Sequence, residues 1–264
     1  MATPQELLSA GDPAQALVAL QAQVREKPGD AKLRVFLFQL LSVLGQWERA
    51  LAQLEICGQL DHGTLAMVST YREAIKCEAV RGAVFAGKTT PVVFGQPASW
   101  VAMLIEALSQ EARGQLAQAQ HLHANAFEQE PTSAGSLNGE PFDWIADADS
   151  RLGPVLEVVL NGRYTWVPFD SLAAIKVEAP EDLRDMVWSA VHLTFSNGGD
   201  SVALVPTCYP GTREQDNGAL KLARSTAWLE LGADQFAGLG QRLLSTSSAE
   251  MGLLEAREIK LGTA

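Results

Sequence analysis

Cysteine is scarce in this chain of 264 residues, which carries only Cys57, Cys77 and Cys208. The count is odd and no two cysteines are separated by two residues. The sequence therefore offers neither a disulfide framework nor the ligand spacing of a structural zinc site. Few cysteines and no CxxC pair are typical of a protein of the reducing cytoplasm, which is the compartment we expect.

Long hydrophobic runs are also absent. No apolar stretch approaches the ~20 residues that a membrane-spanning helix requires. Residues 1–6 lack the basic region and apolar run that begin a signal peptide, so none is expected. A composition that is 47% hydrophobic and 19% charged is nevertheless that of a globular protein with a substantial core, and the length favours two domains.

Positive charge is in deficit. Lys and Arg number 20 against 31 Asp and Glu, which gives a net charge of −11. Residues 1–134 carry 10 basic and 13 acidic side chains, whereas residues 135–264 carry 10 and 18. Nucleic acids and anionic membranes require clustered Lys and Arg, so we expect neither as a partner. The acidic second half suits solubility and a basic protein partner.

Motifs for nucleophilic catalysis are missing as well. No Gly-x-Ser-x-Gly elbow and no Cys/His pair occurs. His121 and His123 are two positions apart on an expected helix and therefore point to different faces. His62 and His192 are isolated in the sequence. No catalytic, metal-binding or cofactor-binding residue is assigned on this basis.

One stretch matches a nucleotide-binding motif in residue identity. Residues 82–89 read GAVFAGKT and match the phosphate-binding loop of nucleotide hydrolases, with Lys88 as its lysine. That loop requires a strand before the glycines and a helix after Lys-Thr. Here helical periodicity precedes the motif and Pro91 follows it. We expect a helix that ends at Gly87, and a nucleotide hydrolase that uses Lys88 remains an alternative.

The first half contains an internal repeat. Gly, Ala and Leu recur with a spacing of 34 residues, and a third copy that restores the later Pro lies 69 residues after the second. The matching positions are Gly11, Ala16, Leu20 and Pro28; Gly45, Ala50, Leu54 and His62; and Gly114, Ala119, His123 and Pro131. Gly at the turn, Ala where helices touch and Pro after the second helix are typical of a degenerate tetratricopeptide repeat.

Helical periodicity agrees with the repeat. Apolar residues from Leu33 to Leu44 follow one stripe of a helix, and a longer helix is predicted over residues 64–85. Asp30 and Asp61 are expected to cap helix N-termini. We predict a tetratricopeptide-like α-α superhelix over residues 1–134, whose stacked hairpins expose a concave surface suited to a peptide or helix.

The second half, residues 135–264, reads as strands. Two β-prone runs flank Asn161-Gly162, a dipeptide typical of a type I′ hairpin turn. Further strands are predicted over residues 171–178, 187–196, 201–205, 226–231, 241–244 and 253–261, and helical segments over 180–185 and 219–224. The predicted class is α+β, with a strand-rich second domain that forms a small, partly open β-barrel; a sandwich is the open alternative.

Residues 142–154, FDWIADADSRLGP, lie between the two patterns. We expect a structured seam in which Phe142 and Trp144 pack between the domains, since exposed aromatics forgo burial worth ~2–3 kcal/mol. Asp143, Asp147 and Asp149 would turn the backbone and pair with Arg151. A divalent cation bound by these acids in a hydrolase is the alternative, although the glycine and glutamate of a calcium loop are missing.

The combined motifs resemble the ImpE/TagJ family of accessory proteins of the bacterial type VI secretion system. The matching stretches are WIADADSRLGP at 144–154, NGRYTWVP at 161–168, DLRDMVW at 182–188, PTCYPG at 206–211, VFAG at 84–87 and Trp100. Cys208 stands where the family pattern has a basic residue and Thr165 where an aromatic is common. The motif residues proposed for partner binding are Trp144, Asp147, Asp149, Arg151, Arg184 and Trp188.

The resemblance implies a helical repeat domain followed by an α+β domain. It further implies a non-enzymatic adaptor without a cofactor. Members are associated with the small subunit of the contractile sheath, through its N-terminal helical segment, and with recycling of contracted sheath by the ClpV unfoldase. These are expectations from the family. The residues themselves are consistent with this role, because helical repeats offer a groove for a helix and no catalytic constellation was found in the sequence.

Overall fold

The computed structural model describes residues 2–232 and 235–262, with helices first and strands after them. The α-helices are α1 (Pro4–Ser9), α2 (Pro13–Glu26), α3 (Ala31–Val43), α4 (Trp47–Leu60), α5 (Leu65–Phe85), α6 (Ser99–Ala112), α7 (Leu116–Gln129) and α8 (Gly218–Lys221). Short 3-10 helices occupy His62–Thr64, Phe169–Ser171, Leu183–Met186 and Thr212–Glu214. No helix in the described part of the chain is both long enough and apolar enough to cross a bilayer.

The predicted helical hairpins are confirmed as α1–α2, α3–α4 and α6–α7. The repeat glycines between paired helices all adopt positive φ: Gly11, Gly45 and Gly114. The repeat alanines are fully buried where the helices touch: Ala16, Ala50 and Ala119. Asp30 accepts the amides of Lys32 and Leu33 and so caps α3. The repeated glycines thus serve the turns between paired helices, and the repeated alanines allow the helices to pack closely.

The strands form three sheets. They are β1 (Val92–Val93), β2 (Gly135–Leu137), β3 (Glu140–Phe142), β4 (Ile145–Asp147), β5 (Val155–Leu160), β6 (Arg163–Pro168), β7 (Leu172–Val177), β8 (Trp188–Phe195), β9 (Asp200–Pro206), β10 (Thr226–Gly232), β11 (Gln235–Gly240), β12 (Leu243–Thr246), β13 (Glu250–Gly252) and β14 (Glu258–Leu261).

The largest sheet has nine strands in the order β1-β6-β5-β9-β8-β7-β14-β2-β3. The two ends of this order do not pair with each other among the described residues, so the sheet is open and no closed barrel forms. Strands β13-β12-β4 form a second sheet, and β10-β11 form a two-stranded ribbon. The α+β organisation predicted from the sequence is confirmed.

The Asn161-Gly162 turn joins β5 to β6 as predicted. Both residues have positive φ, 51° and 72°, as a type I′ turn requires. Leu160 and Arg163, which flank the turn, pair with each other, and the register continues to Val155 and Pro168. The dipeptide therefore fixes which side chains of the hairpin face the helices.

Two hydrophobic clusters lie on the two sides of the large sheet. One contains only residues after position 136, among them Phe142, Val158 and Val191. The other joins residues of α1 to α7 with sheet residues such as Val155 and Trp188. We call the sheet surface that contributes to this second cluster the helix-facing side. The helical and strand-rich parts therefore share one core.

The surface expected to hold a partner is partly filled by the chain itself. The 3-10 helix Leu183–Met186 packs on α3, and Trp188 contacts the rings of Trp47 and Tyr71. Strand β1 leaves the helical part to pair in parallel with β6. The boundary at residues 134 and 135 stays a prediction, and so does the use of the concave surface by a peptide or helix.

Candidate partner-binding site

A groove of about 550 Å³ lies between the first turns of α5 and the helix-facing side of β5, β8 and β9. Its wall on the helix includes Met67, Thr70 and Tyr71, and its floor includes Val202 and His192. Helix α5 begins at Leu65 and covers the part of the sheet near Trp188, whereas the part near Val202 and His192 stays open. The groove therefore lies at the edge of the helical layer that covers the sheet.

The floor of the groove follows from strand alternation. On β8, Trp188, Ala190 and His192 point to the helix-facing side, because alternate residues share one face. Trp188 is fully buried, Ala190 half-buried and His192 exposed. On β9, Val202 is opposite His192 and is 65% exposed. Val202 therefore marks the apolar border of the covered part of this face, beyond which the exposed side chains include His192 and Lys176.

Charged groups line one side of the groove. The guanidinium of Arg184 lies 5.3 Å from the ring centre of Tyr71 and pairs with Asp182 at 2.9 Å. Burial raises the pKa of Tyr71 to about 12, so the ring is neutral at physiological pH. His192 lies 3.4 Å from the carboxylate of Glu178. Arg184, a motif residue, is therefore placed at the groove.

Trp188, the second motif residue nearby, lies beneath the helices and holds the residues of the groove wall in place. Its indole Nε1 donates to Glu78 Oε1 at 2.9 Å. Its ring centre lies 5.5 Å from that of Tyr71 and 5.8 Å from that of Trp47. Because it is fully buried, Trp188 has no surface for a partner and instead fixes α5 on the sheet.

The acidic motif lies apart from the groove and is largely buried. Asp149 pairs with Arg151 through two hydrogen bonds of 2.9 and 2.6 Å and also accepts the amide of Gly238. Asp147 accepts the amide of Asp149 and pairs with Arg242. The expected turn and the Asp149–Arg151 pair are confirmed. These residues support the backbone between β4 and β5.

Asp147 belongs to a buried network of charged side chains, and the residues at its centre were not predicted from the sequence. Arg81 of α5 forms two hydrogen bonds with Glu157 of β5, at 2.9 and 2.6 Å, and a third with the carbonyl of Cys208. Arg242 pairs with both Glu157 and Asp147. Glu157 within the apolar run Val155–Leu160 was the available signal, since a buried carboxylate requires a partner.

The electrostatics of the network follow from burial and pairing. Burial acts to raise the pKa of Glu157, but the charges of Arg81 and Arg242 and the hydrogen bond from Tyr164 hold it at about 2. For Asp147, burial outweighs Arg242 and raises the pKa to about 6. The network thus joins α5, β4 and β5 by charges sealed from solvent.

Two expectations for the aromatics of the seam are wrong. Trp144 is exposed, because it lies in the turn between β3 and β4 instead of between the two parts. Phe142 is buried, but in the cluster on the sheet side away from the helices. Leu152 does reach the shared core. Trp144 is therefore the one motif residue of the seam that presents an apolar ring to solvent.

The structure does not bring the three acids of the seam together as a cation site. Asp147 and Asp149 are each engaged by an arginine, and Asp143 is exposed. Within residues 2–232 and 235–262, no group of three or more His, Cys, Asp or Glu side chains is arranged to hold a metal ion. The chemistry available here is ion pairing.

Lys88 does not lie in a phosphate-binding loop. Helix α5 precedes it, and Gly87 has a φ of 64°. The amides of Ala86, Gly87 and Lys88 donate to carbonyls of the last helical turn, at 2.9 to 3.0 Å. These amides are the groups that would face a phosphate, so the helix end occupies them. The predicted helix end is confirmed.

Comparison with known proteins gives a consistent assignment. Residues 139–260 match the model of the ImpE protein family, and residues 7–58 match a tetratricopeptide repeat model. The chain is 52% identical over 255 residues to a type VI secretion system accessory component, TagJ, of Pseudomonas aeruginosa. That alignment covers 97% of this chain and 89% of the relative.

A solved structure has the same fold. The crystal structure of a Vibrio parahaemolyticus protein aligns with a TM-score of 0.89 over 99% of this chain and 98% of that one, at 23% identity. At that identity the likeness shows the fold. The arrangement of helical hairpins on an open sheet is therefore shared beyond close relatives.

Proposed function

This chain belongs to the ImpE/TagJ family of accessory components, and from this we propose that it is a non-enzymatic adaptor of the type VI secretion system. We infer that it binds the N-terminal helical segment of the small sheath subunit. In this role it assists the recycling of contracted sheath by the ClpV unfoldase in the cytoplasm. The groove between α5 and the sheet is the proposed binding site.

The observation that carries the proposal is the uncovered apolar surface beside α5. The helix-facing side of the sheet is covered by helices as far as Trp188, whereas Val202 on the neighbouring strand is open to solvent. A helix laid next to α5 would extend the layer that the chain itself begins. An amphipathic helix supplies the apolar stripe that such a surface binds.

The adaptor interpretation is favoured over a hydrolase because the groups that a hydrolase would use already have partners within the chain. The amides around Lys88 are used by the helix end, and Asp147 and Asp149 are held by arginines. A hydrolase needs groups that are free to meet a substrate. Protein binding needs only the exposed surface of the groove.

Calorimetric titration with the N-terminal helical peptide of the small sheath subunit tests the proposal. We expect Val202→Arg to weaken binding at least about tenfold, because a charged group would enter the apolar floor. Val18→Arg is the matched control, since Val18 on α2 is similarly exposed, at 59%. Loss of binding in both variants or in neither would contradict the site. No binding by the unaltered chain would contradict the function.

A further inference from the structure

The ribbon β10-β11 has one free edge. Among the described residues, β10 pairs only with β11. Strand β11, by contrast, is fixed on both edges: the amides of Phe236, Gly238 and Gly240 donate to Ser150, Asp149 and Thr212. The ribbon is thus anchored to the body of the protein through β11, and β10 forms its outer edge.

The register shows which backbone groups are open. Phe236 is opposite Glu230, and Gly238 is opposite Trp228. Because the amides of Phe236 and Gly238 point away from β10, these are the pairs without ladder hydrogen bonds. The N–H and C=O groups of Trp228 and Glu230 therefore point outward from the ribbon. They form a template for one further strand.

The side chains along this edge are apolar and exposed. Trp228 is 38% exposed and shares its face of the ribbon with Phe236 of β11, whereas Leu229, 52% exposed, points to the other face. Tyr209 packs on the ribbon at Gly238, where a Cβ atom would lie 2.2 Å from its ring, and its ring centre is 5.6 Å from that of Trp228. The aromatic ring at the edge is therefore held in place by the body of the protein.

Solvent-exposed edges usually carry protection against pairing. Lysine, proline and charged residues directed inward are the common devices. The seven residues of β10, TAWLELG, include no lysine and no proline. The bulge after Glu230 and the hydrogen bond of 3.0 Å from Gln120 of α7 to the carbonyl of Leu231 protect only the far end of the strand. Such an edge is suited to strand addition.

We propose that the outer edge of β10 binds an extended, basic segment of another protein as an added β-strand. The open backbone groups of Trp228 and Glu230 require an extended partner. The charge of the chain selects its sign: the net charge is −11, so two copies repel each other, whereas a segment with Lys or Arg next to Glu230 is attracted. Leu229 lies on the opposite face of the ribbon from Trp228 and Glu230, because successive strand residues alternate. One alternate set of partner side chains would therefore be apolar and pack on Leu229, and the other set would carry the basic groups that meet Glu230.

The test uses an array of synthetic seven-residue peptides, matching the length of β10. Alternate positions carry valine or phenylalanine, and the intervening positions carry lysine, serine or glutamate. We expect lysine-bearing peptides to bind the full chain at least about tenfold more tightly than glutamate-bearing ones. Methylation of the central peptide amides should abolish binding, because it removes the donors of the new ladder.

Three variants locate the binding. Glu230→Pro removes an outward N–H and leaves the β10-β11 ladder, so it should abolish binding without changing the unfolding temperature. Glu230→Gln retains the N–H and should weaken only the lysine preference. Val92→Pro, on the short strand β1 at one edge of the large sheet, should have no effect.

Specific results would overturn the proposal. These are no bound peptide at about 1 mM, binding that is unchanged in Glu230→Pro, or a preference for glutamate. Sedimentation that shows a dimer lost in Glu230→Pro would identify a second copy as the occupant and would equally overturn it. Binding of the helical sheath peptide is expected to be unchanged in Glu230→Pro, so this test is separate from that of the α5 groove.

Discussion

Arg81 and Glu157, 76 positions apart in the chain, form a buried pair joined by hydrogen bonds of 2.9 and 2.6 Å. Arg81 lies on α5 and Glu157 in the middle of β5. The pair connects the helical part to the sheet at the helix that forms one wall of the groove. Its integrity is therefore a condition for the proposed binding site.

Glu157→Gln should destabilise the chain strongly. The substitution leaves the buried charges of Arg81 and Arg242 without their shared carboxylate, and breaking a buried pair from one side costs about 3–5 kcal/mol. Urea unfolding measures the change. Glu55→Gln is the control, because Glu55 pairs with Arg72 in the same two-bond geometry at the surface, where solvent screens the charges. Equal effects of the two variants would contradict the account.

The same carboxylate predicts a pH dependence. The pKa of Glu157 is about 2 in the folded chain, below the ordinary value of 4.5. The folded state therefore binds this proton less readily than the unfolded state. Its contribution to stability is complete above about pH 4.5 and is lost as the pH falls towards 2. The difference in unfolding free energy between the unaltered chain and Glu157→Gln should shrink over that range. A difference that stays constant or grows would contradict it.

Asp147 should act in the opposite direction. Burial raises its pKa to about 6, so the folded state retains a proton that the unfolded state releases. Stability from this group is present below about pH 4 and is lost as the pH rises through 6. Asp147→Asn should therefore flatten the stability profile between pH 4 and 6. Carbon NMR titration of the Asp147 carboxyl measures the pKa directly, and a value below 3.8 would reverse the predicted sign.

His123→Leu should stabilise the last hairpin. His123 is fully buried at the position where the earlier repeats have Leu20 and Leu54. Its Nε2 lies 3.0 Å from Glu111, but its buried Nδ1 has no hydrogen-bond partner among the described residues. Removing an unsatisfied buried atom should raise the unfolding free energy by about 1 kcal/mol. Leu54→His is the reciprocal control and should destabilise. A loss of stability in His123→Leu would show that the Glu111 contact dominates.

Lys88→Ala tests the nucleotide alternative. Because the neighbouring amides cap α5, we expect no binding of ATP to the unaltered chain at millimolar concentration and no change in the variant. Isothermal titration with ATP and magnesium measures both. Binding that disappears in Lys88→Ala would restore the hydrolase hypothesis.

Local features of the fold were predictable from the sequence. Asn161-Gly162 specified a turn through its positive φ values, and the apolar stripe from Leu33 to Leu44 specified α3. These signals depend on neighbours within one turn or one hairpin. They determine individual helices and turns but not how elements distant in the sequence pack together.

Strands rich in glycine were missed. Strand β11 reads QFAGLG, and glycine is normally depleted in strands. Here Gly238 is required because Tyr209 packs directly on it, which no local pattern reveals. The predicted strand over residues 253–261 was too long, because the amide of Ala256 donates to the carbonyl of Gly252 in a turn and β14 begins only at Glu258.

The candidate site was predicted in part. Arg184 was chosen from its motif and does line the groove, whereas Trp188 is buried beneath it and Trp144 lies elsewhere on the surface. Met67 and Val202 carried no motif, and their meeting depends on how α5 packs across β9. An exposed site between distant elements is a property of the fold, so sequence alone could not locate it.

The structure of the chain bound to the N-terminal helical peptide of the small sheath subunit is the most direct measurement of the central claim. We predict a helix that lies along α5, with its apolar side on Met67 and Val202. A peptide helix seated in the smaller cleft of about 390 Å³ between α1 and α3, which Leu8 and Phe36 line, would contradict the site. A peptide bound in extended form would contradict the proposed mode of recognition.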